Sequence, residues 1–263
     1  MKRARLPLGL SAVGLYLFLY APLAMVIVFS FNAARHGVAW QGFTTDWYRR
    51  LLSDELALSA AKNTLLLGGF STAIATVLGT LLAFGLSRSG LPGQRWALRL
   101  LQLPVFIPDI VFAAAMLLFY SLARQWLGLF ELGMSTMVMA HVTFQIPFVT
   151  IVVRARLAGL DPSLEEAARD LGANPWQAFR CVTLPLILPG VLAAAMLAFT
   201  LSLDDFVVSF FTSGPGSTTL PILIYSSVKR GVTPEINALA TLIVLASLAA
   251  TLSVVLLQRR RRA

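Results

Sequence analysis

Three carboxylates lie inside long apolar stretches of this 263-residue chain, where a charged group is costly. They belong to Asp109, Asp204 and Asp205. An acidic side chain at the centre of a membrane helix costs about 2.5–3.5 kcal/mol on insertion scales, and such residues usually face an interior. Because the apolar stretches contain no Lys or Arg, these acids are not neutralised at their own depth. The pattern therefore predicts a path suited to cations.

Each acid also has a structural interpretation. Asp109 directly follows a proline and could cap a helix that resumes there. Asp204 and Asp205 are adjacent, so on a helix they would point about 100° apart. One would then face a cavity while the other bonds a neighbouring helix or a partner subunit, and the sequence leaves open which. His141 and Gln145, one helical turn apart, predict hydrogen bonds between helices rather than ligands.

The second segment with chemistry-bearing residues is charged and covers residues 154–185. Asp161-Pro162 offers one helix start, and Ser163 followed by Glu166 offers a competing capping box. Gly172 fits the left-handed cap that ends a helix, and Asn174-Pro175 then begins a second helix. The segment therefore predicts two short amphipathic helices joined by a turn.

Composition excludes several function classes. The chain is 57% hydrophobic and 13% charged, whereas a soluble domain carries roughly a quarter charged residues. One cysteine and two distant histidines support neither a disulfide nor a metal cluster. None of the three lysines follows a glycine, so the chain lacks a phosphate-cradling loop for ATP. A membrane enzyme, without a recognisable nucleophile–base pair, has little support.

Six apolar stretches are long enough to cross a bilayer, which takes about 20 residues. They lie near residues 9–31, 63–86, 100–122, 133–153, 186–211 and 238–257. With both termini in the cytoplasm, cytoplasmic segments hold about twice as many Lys and Arg residues as external ones. The net charge of +9 is therefore a topology signal, and it does not indicate nucleic-acid binding. These features predict one membrane domain over residues 1–263.

Prolines and a long loop modify this simple picture. The third stretch carries Pro104 and Pro108, which predict a kink or break near its start. The fourth carries Gln145 and Pro147, and such features survive in lipid only where protein or a water-filled cavity surrounds them. Those helices are therefore expected to line an interior. The external loop 212–236 predicts a short helix near residues 220–228, and whether it is re-entrant is left open.

The charged segment resembles the docking loop of type I (MetI-like) ABC-importer permeases. The shared pattern is Glu166-Ala167-Ala168, three residues, Gly172, nine residues, and then Val182-x-Leu184-Pro185, with Val182 where isoleucine is usual. The resemblance implies a six-helix permease whose docking loop (residues 154–185) meets a separate ATPase. It assigns the coupling role to six residues: Glu166, Ala167, Ala168, Gly172, Leu184 and Pro185.

Longer blocks are similar to one subfamily, the C-type permease subunits of spermidine/putrescine importers. They are residues 202–216, 219–221, 224–229 and 231–241, the early run 40–44 and the step 108–110. The resemblance implies a polyamine substrate. Tyr225 and Phe211 are candidate aromatic contacts for its ammonium groups, and the alternative that they are membrane-interface anchors stays open. It also implies a bacterial inner-membrane location.

The same resemblance implies a set of partners. They are a second permease subunit, two copies of a cytoplasmic ATP-binding subunit that hold ATP and Mg, an external polyamine-binding protein, and the lipid bilayer. Two alternatives stay open. The same machine could carry another cationic compound or ferric iron, or the chain could act alone as a secondary transporter, although the paired repeats typical of that class are not found.

Overall fold

The computed structural model describes residues 5–34, 39–88, 93–231, 233–245 and 248, and its regular structure is helical. In chain order the helices are α1 (Arg5–Phe29), α2 (Asp46–Ser53), α3 (Glu55–Arg88), α4 (Gln94–Phe106), α5 (Asp109–Leu127), α6 (Met134–Leu157), α7 (Ser163–Asp170), α8 (Pro175–Ala178), α9 (Leu184–Leu203), α10 (Val207–Thr212), α11 (Leu220–Arg230) and α12 (Pro234–Leu245). A π-helical turn, Phe179–Thr183, joins α8 to α9. The predicted all-α fold is confirmed.

Four helical segments among the described residues are long and apolar enough to cross a membrane. They are Glu55–Ser87, Asp109–Leu127, Met134–Leu157 and Pro175–Leu203, which overlap the second to fifth predicted stretches. α1 corresponds to the first stretch and α12 to the start of the sixth. Much of the stretch 238–257 lies outside the described residues. The count of six spans and the side on which each terminus lies therefore stay predictions.

The third predicted span is broken where its second proline stands. α4 ends at Phe106, Ile107 and Pro108 are extended, and α5 begins at Asp109. A residue before proline is pushed out of the helical region by steric conflict, which explains the break. Pro147, in contrast, is a buried residue within a continuous α6. The predicted break is confirmed for the third stretch.

The fifth predicted span, 186–211, is wrong as a single helix. α9 ends at Leu203 and α10 starts at Val207, so Asp204 and Asp205 lie in a gap between helices. The expectation that they point about 100° apart on one helix is therefore also wrong. The physical reason is local competition, because the Asp205 carboxylate accepts the backbone N–H groups that start α10.

The chain divides into two compact units, the first formed by residues 1–58 with 223–263. Its apolar core contains Trp47, Leu51, Ala57 and Ala238. The loop after α1 is closed by the buried Asn32, whose amide oxygen accepts from the backbone N–H groups of residues 34 and 41. The Trp47 indole donates to the Asn32 carbonyl at 2.8 Å. These bonds tie the loop to α2.

The second unit, residues 59–222, contains the functional residues considered below except Tyr225. One core cluster joins α3, α6 and α9 through small and branched side chains: Ala83, Val149, Val153, Ile187, Ala194 and Ala198. A second joins α5, α6 and α10 through Phe112, Ala113, Tyr120, Ala140 and Val208. The long α6 lies in both clusters and is therefore the central helix of this unit.

Close packing of α3 on α6 depends on one glycine. A Cβ at Gly79 would stand 2.7 Å from Cβ and Cγ1 of Val149, and the Thr150 hydroxyl donates to the Gly79 carbonyl at 3.2 Å. Buried small residues continue this face of α3 one turn away on each side, at Ala75 and Ala83. Small residues at four-residue spacing let membrane helices approach closely.

We expect Gly79→Ala to destabilise the second unit by about 1–3 kcal/mol, because the new methyl group overpacks the contact with Val149. Thermal unfolding in detergent measures the change. Gly69→Ala in the same helix is the matched control, since nothing lies within 4 Å of a Cβ at that position. Equal shifts in melting temperature for the two variants would contradict the packing argument.

Candidate functional site

The gap between α9 and α10 holds two carboxylates in different surroundings. The Asp204 N–H donates to the Thr200 carbonyl at 3.3 Å and closes α9, while its side chain is exposed. The Asp205 side chain is only 11% exposed. Its two oxygens accept from the backbone N–H groups of Val208 at 3.2 Å and Ser209 at 2.7 Å. Asp205 thus caps α10, and Asp204 is the accessible carboxylate of the pair.

A histidine on α6 also contacts this gap. His141 is fully buried, and its Nε2 lies 3.4 Å from Oδ2 of Asp205 and 3.0 Å from the Ser209 hydroxyl. Its Nδ1 lies 2.8 Å from the Ser202 hydroxyl near the end of α9. The prediction that His141 bonds between helices is confirmed. Its contact with one of the predicted acids was not foreseen.

The polar network continues one turn further along α6. The buried Gln145 amide donates to the Ser71 hydroxyl on α3 at 3.2 Å and to the Ala198 carbonyl on α9 at 3.1 Å. The hydroxyls of Ser71 and Ser202 are 3.4 Å apart. Gln145 therefore bonds between helices, as predicted. The network links α3, α6, α9 and α10 behind the gap.

The other predicted substrate-path residues lie elsewhere. Asp109 is exposed in the first turn of α5. The ring of Phe211 belongs to the apolar cluster of α5, α6 and α10. Tyr225 lies on α11, where Lys229 Nζ stands 4.8 Å from its ring centroid, so a cation from its own helix already contacts that ring. Of the candidate acids, only Asp204 and Asp205 lie together, in the gap between α9 and α10. Tyr225 belongs to the first compact unit, whereas these acids belong to the second.

Metal chemistry has no visible site in the described part of the chain. No group of three or more His, Cys, Asp or Glu side chains there could hold a metal ion. His141 faces one carboxylate and two hydroxyls instead. Hydroxyls and a single carboxylate around one imidazole suit a hydrogen-bonded support rather than a metal site.

The docking loop folds as the predicted pair of short helices. α7 ends at a left-handed Gly172, with φ of +88°, whose N–H donates to the Arg169 carbonyl at 2.9 Å. The Ala173 N–H reaches back to the Ala168 carbonyl at 3.0 Å, which completes a Schellman-type cap. Asn174 then starts α8 through a reciprocal pair of bonds with Gln177, both 2.9 Å. The predicted cap and restart are confirmed.

Of the two competing starts for α7, the structure shows the one at Asp161. The Asp161 carboxylate accepts from the Ser163 N–H at 3.0 Å. This hydrogen bond, together with one from the Ser163 side chain, lowers the pKa of Asp161 from its ordinary value. The ionised form therefore stabilises the helix start, and that stabilisation is lost as the pH falls through the lowered pKa.

Two adjacent glutamates on α7 differ in their surroundings. Glu165 is bound inside the loop, with one oxygen 3.0 Å from Arg169 and the other accepting from the Thr183 hydroxyl at 3.2 Å. Glu166 and Ala167 are exposed, and Ala168 is half-buried. Leu171 beside them is 90% exposed. The loop therefore has an internal brace at Glu165 and presents Glu166 on its surface.

Long apolar helices are those of a membrane protein, and an accessible carboxylate at a helix gap with an exposed two-helix loop fits a permease. The chain matches the family described as binding-protein-dependent transport system inner membrane component over residues 75–261. It therefore belongs to this family of importer permeases. It is a multi-pass inner-membrane protein and a transport subunit, and ATP hydrolysis in this family takes place in a partner subunit.

Two curated relatives and one solved structure are similar over most of the chain. The putrescine transport system permease protein PotI of Escherichia coli (strain K12) is 44% identical over 87% of this chain and 82% of its own. The spermidine/putrescine transport system permease protein PotC of the same strain is 42% identical over 97% and 95%. A chain of a bacterial ABC transporter that imports alginate has a TM-score of 0.79 at 23% identity, covering 98% and 96%, which supports the fold alone.

Proposed function

We propose that this chain is a permease subunit through which an ABC importer moves putrescine and spermidine into the cytoplasm. The single observation that carries the substrate is the 42–44% identity, over most of the chain, to permeases named for those two polyamines. The exposed Asp204 carboxylate at the helix gap fits this substrate class, because a carboxylate pairs with an ammonium group through a charge-assisted hydrogen bond.

The other predicted contacts enter the proposal with different roles. Asp109, exposed at the start of α5, is a second candidate for an ammonium group. Asp205 serves the path as the cap of α10 and holds the gap in place. Phe211 in the second unit and Tyr225 in the first are each proposed separately as an aromatic contact for an ammonium group. Phe211 packs against the apolar cluster of α5, α6 and α10, and Lys229 already lies over the Tyr225 ring.

The proposed machine is completed by four other components. They are a second permease subunit, two copies of a cytoplasmic ATP-binding subunit, and a periplasmic polyamine-binding protein, all in or at a bilayer that this chain spans six times with both ends in the cytoplasm. ATP and Mg²⁺ bind the ATPase subunits. Glu166, Ala167, Ala168 and Gly172 form the docking surface, and Leu184-Pro185 begin α9.

Transport then follows from differential affinity between two states. A ligand shifts a conformational equilibrium only by as much as it favours one state over the other. Here ATP on the partner subunits favours one state of the permease through the docking loop. The loaded binding protein favours one state of the permease from the opposite side of the membrane. The internal brace between Glu165 and Thr183 supports this coupling, since it ties α7 to the turn that leads into α9.

Uptake by the complete importer in proteoliposomes tests the substrate. We expect ATP-dependent accumulation of labelled putrescine and spermidine when their binding protein is present, because the path offers carboxylates to ammonium groups. Competition with ferric iron and with unrelated cationic compounds checks the alternatives. Accumulation of one of those solutes and not of polyamines would contradict the proposed substrate. Uptake by this chain without any ATPase would contradict the proposal that it works as part of an ABC importer.

A further inference from the structure

His141 is fully buried beside the gap between α9 and α10, and the path proposed above gives it no role. His141 comes from α6, the central helix of the second unit. Its Nδ1 contacts Ser202 on α9, and its Nε2 contacts Ser209 on α10 and Asp205 in the gap. The ring therefore contacts both helices that flank the gap and also Asp205 within the gap.

Either ring nitrogen can carry the hydrogen in these contacts. With the hydrogen on Nε2, the ring donates toward the Ser209 hydroxyl at 3.0 Å and the Asp205 carboxylate at 3.4 Å, and Nδ1 accepts from the Ser202 hydroxyl. Asp205 then has three donors around it, namely the two backbone N–H groups of α10 and the imidazole. A nearly buried carboxylate needs such partners, because an unpaired charge in an apolar interior is strongly disfavoured.

We propose that His141 is a positioning residue of the substrate path. It holds Asp205 as the cap of α10, which keeps the gap between α9 and α10 open and leaves the neighbouring Asp204 carboxylate exposed to a cationic solute. The contact between His141 and substrate is indirect, through these two residues. This inference rests on the proposed function only where it takes the solute to be a cation.

Simple packing is the competing explanation for the same residue. The His141 ring lies 5.3 Å from the ring of Phe144, in the region where α5, α6 and α10 meet. A packing role needs only a side chain of similar volume. A positioning role needs a hydrogen-bond donor at the place of Nε2, because that atom faces Asp205.

Two conservative variants separate these roles. In His141→Gln the amide reaches about as far as Nε2, so a donor toward Asp205 is retained and the contact with Ser202 is lost. In His141→Asn the amide stops near the place of Nδ1, so the contact with Ser202 is retained and the donor toward Asp205 is lost. Asn is also one methylene smaller than Gln, so His141→Leu, with a volume close to that of Gln and no hydrogen-bond donor, is the packing control. A packing role predicts that Leu behaves like Gln, and a positioning role predicts that Leu behaves like Asn.

The first measurement is backbone amide hydrogen exchange at Val208 and Ser209 in the complete importer. Both N–H groups are capped by Asp205. We expect His141→Asn to speed their exchange by roughly tenfold relative to wild type, and His141→Gln to change it little, because loss of a hydrogen bond to a charged group shifts an equilibrium by about that factor. Equal exchange in all three proteins would overturn the proposal.

The second measurement is the kinetics of labelled putrescine uptake. We expect His141→Asn to raise KM by roughly tenfold with little change in the maximal rate, and His141→Gln to restore a KM close to wild type. In an Asp204→Asn background, His141→Asn should raise KM no further, since it acts through presentation of that carboxylate. Independent, multiplying effects of the two substitutions would overturn the proposal.

The two measurements also distinguish this inference from the proposed function. If the wild-type importer does not accumulate polyamines while His141→Asn alone loosens Val208 and Ser209, the substrate is wrong and the positioning of Asp205 is supported. If polyamines are transported and His141→Leu behaves like His141→Gln in both measurements, the function is supported and His141 is a packing residue.

Discussion

Gly172→Asp is expected to leave the protein inserted and folded but to reduce ATP-driven uptake by about 5- to 30-fold. Gly172 has φ of +88°, a backbone region that costs a residue with a side chain roughly 1–2 kcal/mol. The native cap of α7 is then disfavoured against relaxed conformations by about 5- to 30-fold, and only the native cap presents the docking surface. The site is exposed, and nothing lies within 4 Å of a Cβ there, so no core packing is disturbed. The strain falls on the cap of α7 and on the neighbouring surface that carries Glu166.

The chain offers a close control for this variant. Gly93 also has a positive φ, +91°, with nothing within 4 Å of a Cβ, and it precedes α4 outside the docking loop. Gly93→Asp therefore adds the same charge and a similar backbone strain at another exposed turn. ATP hydrolysis and solute uptake are measured together in proteoliposomes. Wild-type uptake by Gly172→Asp, or equal losses in the two variants, would contradict the docking role.

Asp204→Asn is expected to weaken polyamine uptake by about 10- to 150-fold at low substrate concentration. A hydrogen bond to a charged partner contributes about 1.5–3 kcal/mol, which is this factor in affinity. Asn keeps the size and polarity of the side chain and removes only the charge. Because Asp204 is exposed and does not cap α10, we expect the amount of folded protein to stay unchanged. Initial rates of labelled putrescine and spermidine uptake measure the effect.

Glu131→Gln is the matched control for the loss of one negative charge. Glu131 is 85% exposed on the loop before α6, with its nearest basic partner, Arg124, 3.8 Å away and also exposed. An exposed ion pair of this kind contributes little, so this variant should transport normally. If Asp204→Asn also transports normally, Asp204 lies outside the path and the cation argument loses its main residue.

Local chemistry made several features predictable from the sequence. The break before Asp109 follows from Pro108, and the end of α7 follows from Gly172, because proline and glycine restrict or permit backbone angles wherever they occur. The helix predicted near residues 220–228 is α11, Leu220–Arg230. Each of these depends on neighbours within a few residues, and each is confirmed.

The gap at Asp204 could not be predicted in the same way. Residues 186–211 contain no glycine or proline after Gly190, and the run reads as one apolar helix. The break depends on Asp205, and an aspartate that caps the next helix is a local signal that the apolar run outweighs. The contact of Asp205 with His141, 64 positions earlier in the chain, leaves no local signal. That Asp205 caps α10 while Asp204 stays exposed therefore could be learned only from the structure.

The π-helical turn at Phe179–Thr183 sets the rotational phase of α9 relative to the docking loop. A π turn holds about one residue more than an α turn, so everything after it is rotated by about 100° from the position that an uninterrupted helix starting at Pro175 would give. With that offset, Ile187 and Ala194 are buried against α6. The π turn therefore fixes the rotation of α9 relative to the docking loop as well as the distance between them. Removing one residue from this turn, such as the exposed Cys181, would rotate α9 and the gap at its end relative to the docking loop.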